Sequence, residues 1–120
     1  MKEVLLGILF TLIVGTSYSQ PTVAADSLKY YDGQVITVCH TVSSTFVTKG
    51  ETKTTFLNFG TGFPNQLFTV VIFKEDLPNF SYNPAEYLSG KNVCIIGDVR
   101  MYDSGPEIIV ESDEQIIIHP

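Results

Sequence analysis

Two cysteines and two histidines are the residues of this sequence with the most distinctive chemistry. Cys39 and His40 are neighbours, whereas Cys94 and His119 lie much further along the chain. Two cysteines and two histidines can ligate zinc, but the paired CxxC or HxxxH spacing typical of zinc sites is absent. A catalytic Cys39–His40 pair is disfavoured, because neighbouring residues of a strand point to opposite faces. We expect His40 to be a packed or hydrogen-bonded strand residue and His119 to be solvated.

Motifs of the common enzyme classes are also missing. The sequence contains no nucleophile elbow, P-loop or Rossmann fingerprint. Asp103 and Glu107 flank a turn signal, which is more typical of a turn than of a catalytic carboxylate pair. The sequence therefore predicts a protein that is not an enzyme, with no metal and no cofactor. A hydrolase is the enzymatic alternative, and no group of residues supports it.

Composition indicates one small folded domain. Hydrophobic residues make up 44% of the 120 residues and charged residues 17%. A disordered chain would be poorer in apolar side chains and richer in charge. A multi-domain enzyme is excluded by length, since a typical domain needs about 100–150 residues.

The first residues have the pattern of a secretory signal peptide, which we assign to residues 1–19. An apolar run at residues 4–14 follows Lys2, and it is shorter than the roughly 20 residues that a spanning helix needs. Small residues follow, and the cleavage rule fits a cut after Ser19 or after Ala25. A retained anchor helix and a buried core helix are the alternatives. Export predicts a periplasmic or secreted protein, without a membrane span after cleavage, in an oxidising compartment.

The remaining chain is dominated by β-branched and alternating segments. Residues 20–32 have no clear period and are predicted to be a leader segment. After them the pattern predicts three strands: one from Val35 that continues extended towards Gly50, one at Thr52–Phe59 and one at Leu67–Phe73. A short helix within Asn83–Gly90 follows. Two more strands are predicted at Asn92–Met101 and Glu107–Glu111, with an extended tail at Gln115–Ile118. Three strands, a short helix and two strands are the order of the five-stranded Greek-key barrel known as the OB-fold. We therefore predict an all-β OB-fold domain at residues 33–118.

The predicted barrel determines whether the two cysteines can meet. The first and fourth strands of an OB barrel are antiparallel neighbours. A register that pairs Cys39 with Cys94 also pairs Ile36 with Gly97, so inward residues face inward residues. Adjacent cysteines in an exported protein could form a cross-strand disulfide. Two free thiols remain the alternative, because side-by-side strand positions often have unfavourable disulfide geometry.

Several segments resemble small bacterial OB-fold domains of the nucleic-acid-binding superfamily, including those found beside secreted nuclease domains. The resemblance is carried by Gly33-x-x-Ile36-x-Val38, Thr55-Phe56-Leu57-Asn58-Phe59-Gly60, Phe63-Pro64-Asn65-Gln66-x-Phe68-Thr69-Val70-Val71-Ile72, Gly90-Lys91-x-Val93-Cys94-x-x-Gly97 and Tyr102-x-x-Gly105-Pro106-Glu107-Ile108. It implies the same fold and a single-stranded nucleic acid as ligand. His40 differs from the related domains, which often carry a glycine inside the first strand. The 120 residues contain no nuclease domain of their own, so the resemblance implies no nuclease activity for them.

An OB-fold binds single-stranded nucleic acid with cations along its groove and with aromatic side chains on which bases stack. The residues in the corresponding strands and loops are Lys49, Lys53, Phe56, Asn58, Phe68, Phe73, Arg100 and Tyr102. Each cation could instead be an ordinary surface residue, and Phe56, Phe68 and Phe73 could be core residues. Alternation does not decide which face of the second strand points inward, because a single bulge would invert it.

Charge opposes a strong non-specific interaction with nucleic acid. The chain carries a net charge of −6, and export would remove one residue of each sign, Lys2 and Glu3, and leave it unchanged. Nucleic-acid affinity comes largely from cations, although a local basic groove is compatible with an acidic chain. The leading hypothesis is an exported, non-enzymatic OB-fold module that binds single-stranded DNA or RNA. The alternative is an accessory domain that binds a protein or an oligosaccharide.

Overall fold

The computed structural model of the protein describes residues 20–61 and 65–119. The predicted signal peptide at residues 1–19 lies outside this range. The described strands are β1 (Thr22–Val23), β2 (Val35–Val47), β3 (Thr55–Gly60), β4 (Gln66–Ile72), β5 (Asn92–Tyr102), β6 (Gly105–Ile109) and β7 (Ile116–His119). One α-helix, α1, spans Pro84–Leu88, and 3₁₀ helices span Ala25–Tyr30, Lys74–Asn79 and Asp113–Gln115.

Five of these strands close into a barrel. The order is β2-β3-β4-β6-β5, and β5 pairs again with β2. The β4–β6 pair is parallel and the other pairs of the barrel are antiparallel. This is the OB-fold topology, with α1 between the third and fourth barrel strands, and it confirms the predicted fold class. The short helix begins as predicted: the Asn83 side chain accepts a hydrogen bond from Glu86 N, and Pro84 occupies the first turn.

The closing pair of strands has the register expected from the sequence. Cys39 lies opposite Cys94, Ile36 opposite Gly97 and Val38 opposite Ile95. Gly97 is buried, and a Cβ there would lie 2.5 Å from the Ile108 Cγ2 methyl group. The glycine therefore allows β5 and β6 to approach at a position where any larger side chain would collide with the core.

The core fills the barrel interior with aliphatic side chains and with the rings of Phe59 and Phe68. The rings of Phe59 and Phe68 are nearly parallel, with their centroids 4.3 Å apart. Fully buried residues around them come from every barrel strand: Ile36, Val38, Val42, Leu57, Val70, Ile72, Val93, Ile95, Val99 and Ile108. Phe68 belongs to this core, so its ring is not available to stack on a ligand.

The residues predicted as a leader contribute structure to the barrel. Strand β1 pairs in parallel with β2, and Pro21 O accepts a hydrogen bond from Thr37 N. Leu28, in the following 3₁₀ helix, is fully buried among the core residues. Within residues 20–61 and 65–119, no helix has the length and apolar character required to span a bilayer.

Replacement of Leu28 by alanine tests how much this segment stabilises the barrel. Because the side chain is fully buried, L28A is expected to lower the free energy of unfolding by about 2–5 kcal/mol, through lost burial and a residual cavity. Tyr30, in the same helix, is 72% exposed, and Y30A is expected to change stability by less than about 0.5 kcal/mol. Urea unfolding of both variants provides the measurement, and equal midpoints for L28A and the unmodified chain would contradict the expectation.

Candidate functional site

A bulge in β2 determines which side chains face outward beside β3. The register of the β2–β3 pair shifts between Val42 and Ser44, so one extra residue, Ser43, enters the strand. An extra residue inverts the alternation beyond it. Ser44 therefore lies opposite Asn58, and Phe46 lies opposite Phe56.

These outward residues line a cleft on the barrel wall formed by β2, β3, β4, β6 and the β5–β6 turn. The cleft has a volume of about 480 Å³. Its lining consists of Ser44, Thr45, Phe46, Phe56, Asn58, Gln66, Thr69, Ser104 and Glu107. A volume of this order matches that of small-ligand sites, which combine an apolar wall with a few polar groups.

Two phenylalanine rings form the apolar wall of the cleft. The centroids of Phe46 and Phe56 are 6.4 Å apart, with an angle of 29° between the ring planes. Phe46 is 56% exposed and Phe56 is half-buried. A phenylalanine on a strand that leaves part of its ring in water provides a stacking platform for a flat ligand.

A row of polar side chains crosses the floor of the cleft from β4 to β2. Gln66 Nε2 donates to Thr69 Oγ1 at 3.3 Å, and Thr69 Oγ1 donates to Asn58 Oδ1 at 3.2 Å. Asn58 Nδ2 in turn donates to Ser44 Oγ at 3.2 Å. Asn58 and Thr69 are 7% and 6% exposed, so the hydrogen bonds hold them in a fixed orientation. Gln66 Oε1, at the β4 end of this row, is buried without a hydrogen-bond partner among the described residues.

The charge inside the cleft comes from one carboxylate. Glu107 lies opposite Thr69 on the parallel β4–β6 pair, and partial burial raises the pKa of its side chain above the ordinary value. The lining of the cleft includes no lysine or arginine among the residues that the structure describes. The cleft therefore favours neutral, flat groups over bare anions.

The structure places only two of the predicted ligand-binding residues in this cleft, Phe56 and Asn58. Phe73 and Tyr102 are 41% and 51% exposed, and both lie outside the cleft. Phe68 lies in the core.

Among the residues that the structure describes, the lining of the cleft includes none of the three predicted cations. Lys49 and Lys53 are exposed in the connection between β2 and β3. Arg100 lies opposite Glu107 in the β5–β6 pair, but its side chain donates to Asp98 Oδ2 at 2.7 Å and lines a second cavity, of about 420 Å³, beside Gly97 and Glu111. The expected basic groove therefore does not form around these three residues, and the lysines are in a position to approach a ligand only where it leaves the cleft at the Phe46 end.

Sequence reasoning did not identify the other lining residues. Phe46 and Ser44 belong to the part of β2 beyond the bulge, and no residue type in β2 predicts that bulge. Nothing in the local sequence distinguishes Thr69 or Glu107 from other strand residues, and it is the parallel β4–β6 pairing that brings these two together.

A second group of reactive side chains lies elsewhere on the barrel wall. Cys39 and Cys94 are joined by a disulfide, with their Cα atoms 3.9 Å apart. His119 on β7 places its Nε2 atom 3.0 Å from Cys94 Sγ. His119 is exposed, as expected, and the pairing of β7 with β5 also brings it to the disulfide. His40 accepts a hydrogen bond from Thr41 N through Nδ1, at 2.9 Å.

Comparisons with known proteins support the fold. No protein-family model matches the chain, and no curated protein matches it. A solved structure that it resembles is the crystal structure of a putative aspartyl-tRNA synthetase from Leishmania major Friedlin, with a TM-score of 0.56 and 15% sequence identity. The match covers 92% of this chain and 23% of that chain. At this identity the likeness concerns the fold, and the chain corresponds to about a quarter of the larger protein.

Proposed function

We propose that this protein is a non-enzymatic binding module that holds a short segment of single-stranded nucleic acid in the cleft on β2, β3, β4 and β6. The observation that carries the proposal is the outward pair Phe46 and Phe56 beside a hydrogen-bonded row of neutral side chains. Stacking on aromatic rings tolerates any base, because every base has a π-face. The amide of Gln66 and the hydroxyls of Ser44 and Ser104 supply donors and acceptors for base edges.

The phosphates of such a ligand would lie outside the cleft, near Lys49 and Lys53. Lys49 comes three residues after Phe46, and Lys53 three residues before Phe56. Both lysines are exposed. The similar solved structure is that of a putative aspartyl-tRNA synthetase, an enzyme whose name implies an RNA substrate. This supports nucleic acid as the ligand class.

A fluorescence anisotropy titration at low salt tests the proposal, with labelled single-stranded DNA and RNA 12-mers and a duplex of the same sequence. We expect single strands to bind better than the duplex. With two lysines on phosphates, the slope of log affinity against log salt should be about −1.4, and K49Q/K53Q should reduce it towards zero. Absence of binding at high micromolar protein for both DNA and RNA would reject nucleic acid as the ligand.

A neutral oligosaccharide is the second candidate ligand. The observation that favours it is the lining itself, in which hydroxyls, amides and the Glu107 carboxylate accompany the two phenylalanines. OB-folds bind oligosaccharides as well as oligonucleotides, and a neutral sugar needs no cation. Affinity for a neutral oligosaccharide should not depend on salt, so the same titration separates the two ligand classes.

Replacement of Glu107 by glutamine is expected to strengthen oligonucleotide binding about threefold to fivefold at pH 7, because a like charge is removed from the cleft. Burial raises the pKa of Glu107, so its carboxylate takes up a proton at a higher pH than an exposed glutamate would. The affinity of the unmodified protein should therefore rise as the pH falls through this raised pKa, and E107Q should lack that rise. The control is E111Q, which removes a charge outside the cleft; an equal gain in E111Q would contradict the proposed contact.

Export is part of the proposal, supported by the apolar run at residues 4–14 and by a disulfide, which is typical of oxidising compartments. Cleavage after Ser19 would keep strand β1, whereas cleavage after Ala25 would remove it together with the Pro21–Thr37 hydrogen bond. We therefore expect the exported protein to begin at Gln20. Mass spectrometry of the protein recovered from the periplasm or medium determines the cut, and a chain that begins at Asp26 would contradict this choice.

A further inference from the structure

The disulfide between Cys39 and Cys94 lies on the outer wall where β2, β5 and β7 meet. Its two cysteines differ in access to solvent, because Cys39 is exposed whereas Cys94 is 6% exposed. Disulfides exchange when a thiolate attacks one of the two sulfurs, and access decides which one. A thiol from solution therefore reaches Cys39 Sγ before Cys94 Sγ.

His119 distinguishes the two sulfurs in a second way. Its Nε2 atom lies 3.0 Å from Cys94 Sγ. A disulfide sulfur carries no proton, so the imidazole Nε2–H is the donor and Cys94 Sγ the acceptor. The same N–H would hold a thiolate more strongly than a neutral sulfur, because hydrogen bonds to ionised acceptors are stronger. A stabilised thiolate is the better leaving group.

We propose that Cys39–Cys94 is a thiol–disulfide exchange site with a fixed direction, in which Cys39 bonds to the incoming thiol and Cys94 leaves beside His119. The thiolate of a small thiol or of a protein dithiol attacks Cys39 Sγ and forms a new S–S bond. The bond to Cys94 breaks, and Cys94 Sγ keeps its electron pair.

A second thiol of the same class completes the reduction. It attacks the external sulfur of the mixed disulfide and releases Cys39 as a thiolate. The two external thiols lose two electrons and two protons and become a disulfide. The protein gains those electrons and protons as two thiols, so the exchange balances without any other reactant.

The surroundings of the disulfide are compatible with an anionic reactant. The nearest residues on its outward face, by strand alternation, are Thr37, Thr41, Asn92, Ile96 and Ile117. None of these five described residues carries a carboxylate, and Asp98, four residues beyond Cys94 on the same face, accepts a hydrogen bond from Arg100. A thiolate that approaches Cys39 therefore meets no like charge on the adjacent positions, although the chain as a whole is acidic.

Exchange with glutathione tests the direction of attack. The folded, oxidised protein is mixed with glutathione, quenched with acid, alkylated and mapped by peptide mass spectrometry. We expect the glutathione adduct on Cys39 and the alkyl group on Cys94. An adduct located mainly on Cys94 would overturn the proposal.

The role of His119 is tested by the rate of the same reaction. H119A is expected to react about fivefold more slowly, since the leaving thiolate loses its hydrogen bond, and H119Q, which keeps a neutral N–H donor, is expected to react at an intermediate rate. H40A is the matched control and should keep the rate of the unmodified protein, because His40 points to the other face of β2. If H119A loosened β7, Cys94 would become more exposed and exchange would become faster. A slower rate in H119A therefore cannot result from such a loosening. An H119A rate equal to that of the unmodified protein would overturn the proposal.

Discussion

Alanine at both Phe46 and Phe56 is expected to weaken single-stranded oligonucleotide binding by at least about thirtyfold. Each ring offers its face to one base, and stacking on an aromatic side chain contributes about 1–3 kcal/mol per base. The two rings lie 6.4 Å apart on the outer wall, so they can act on one ligand together. Anisotropy titrations of F46A, F56A and the double variant measure the loss.

The chain offers a matched control for this pair. Phe73 is 41% exposed, close to the exposure of a ligand-facing ring, but lies outside the cleft. F73A is therefore expected to bind oligonucleotides as well as the unmodified protein. Phe46 is 56% exposed, so F46A should change the unfolding free energy little, which separates loss of binding from loss of fold. Equal losses in F73A and F46A would contradict the assignment of the cleft.

Loss of the disulfide is expected to lower the free energy of unfolding by about 2–4 kcal/mol. The disulfide closes a segment with a sequence separation of 55, and a cross-link over a loop of this size mainly restricts the unfolded chain. The total stability of a small domain is only about 5–15 kcal/mol. The midpoint of thermal unfolding should therefore fall by roughly 10–20 °C.

Urea unfolding of the oxidised protein, of the reduced protein and of C39A/C94A measures this difference. The reduced protein keeps both cysteine side chains, so it isolates the cross-link from the packing of Cys94, which is 6% exposed. C39A/C94A should be as unstable as the reduced protein or slightly less stable. If the oxidised and reduced proteins unfold at the same urea concentration, the cross-link does not stabilise the barrel.

The barrel was largely predictable from local patterns. β-Branched runs predicted β2, β4 and β5, and Asn83 with Pro84 predicted the start of α1. The register of the closing strands was also predictable, because Ile36 and Gly97 must both face the core. These features depend on neighbouring residues and on the requirement that apolar faces meet. The alternation of apolar and polar residues along the chain is therefore sufficient to predict them.

The cleft was predictable only in part. Phe56 and Asn58 follow from the position of the second barrel strand, but Phe46 depends on the bulge at Ser43. A bulge forms where a long strand must bend between two partners, and β2 pairs with β5 in its first half and with β3 in its second. That bend is a property of the closed barrel, so local sequence does not reveal it.

By itself the sequence of this protein determined the order of its strands, the inward faces of β5 and of the first half of β2, and the register that places Cys39 opposite Cys94. The tertiary structure alone decided that Phe46 joins Phe56, that Glu107 enters the cleft and that His119 reaches Cys94. The physical reason is the separation along the chain of the residues that must come together. Strand order follows from residues adjacent in the chain, whereas a site on the barrel wall gathers residues that only closure of the sheet and docking of the tail bring within contact.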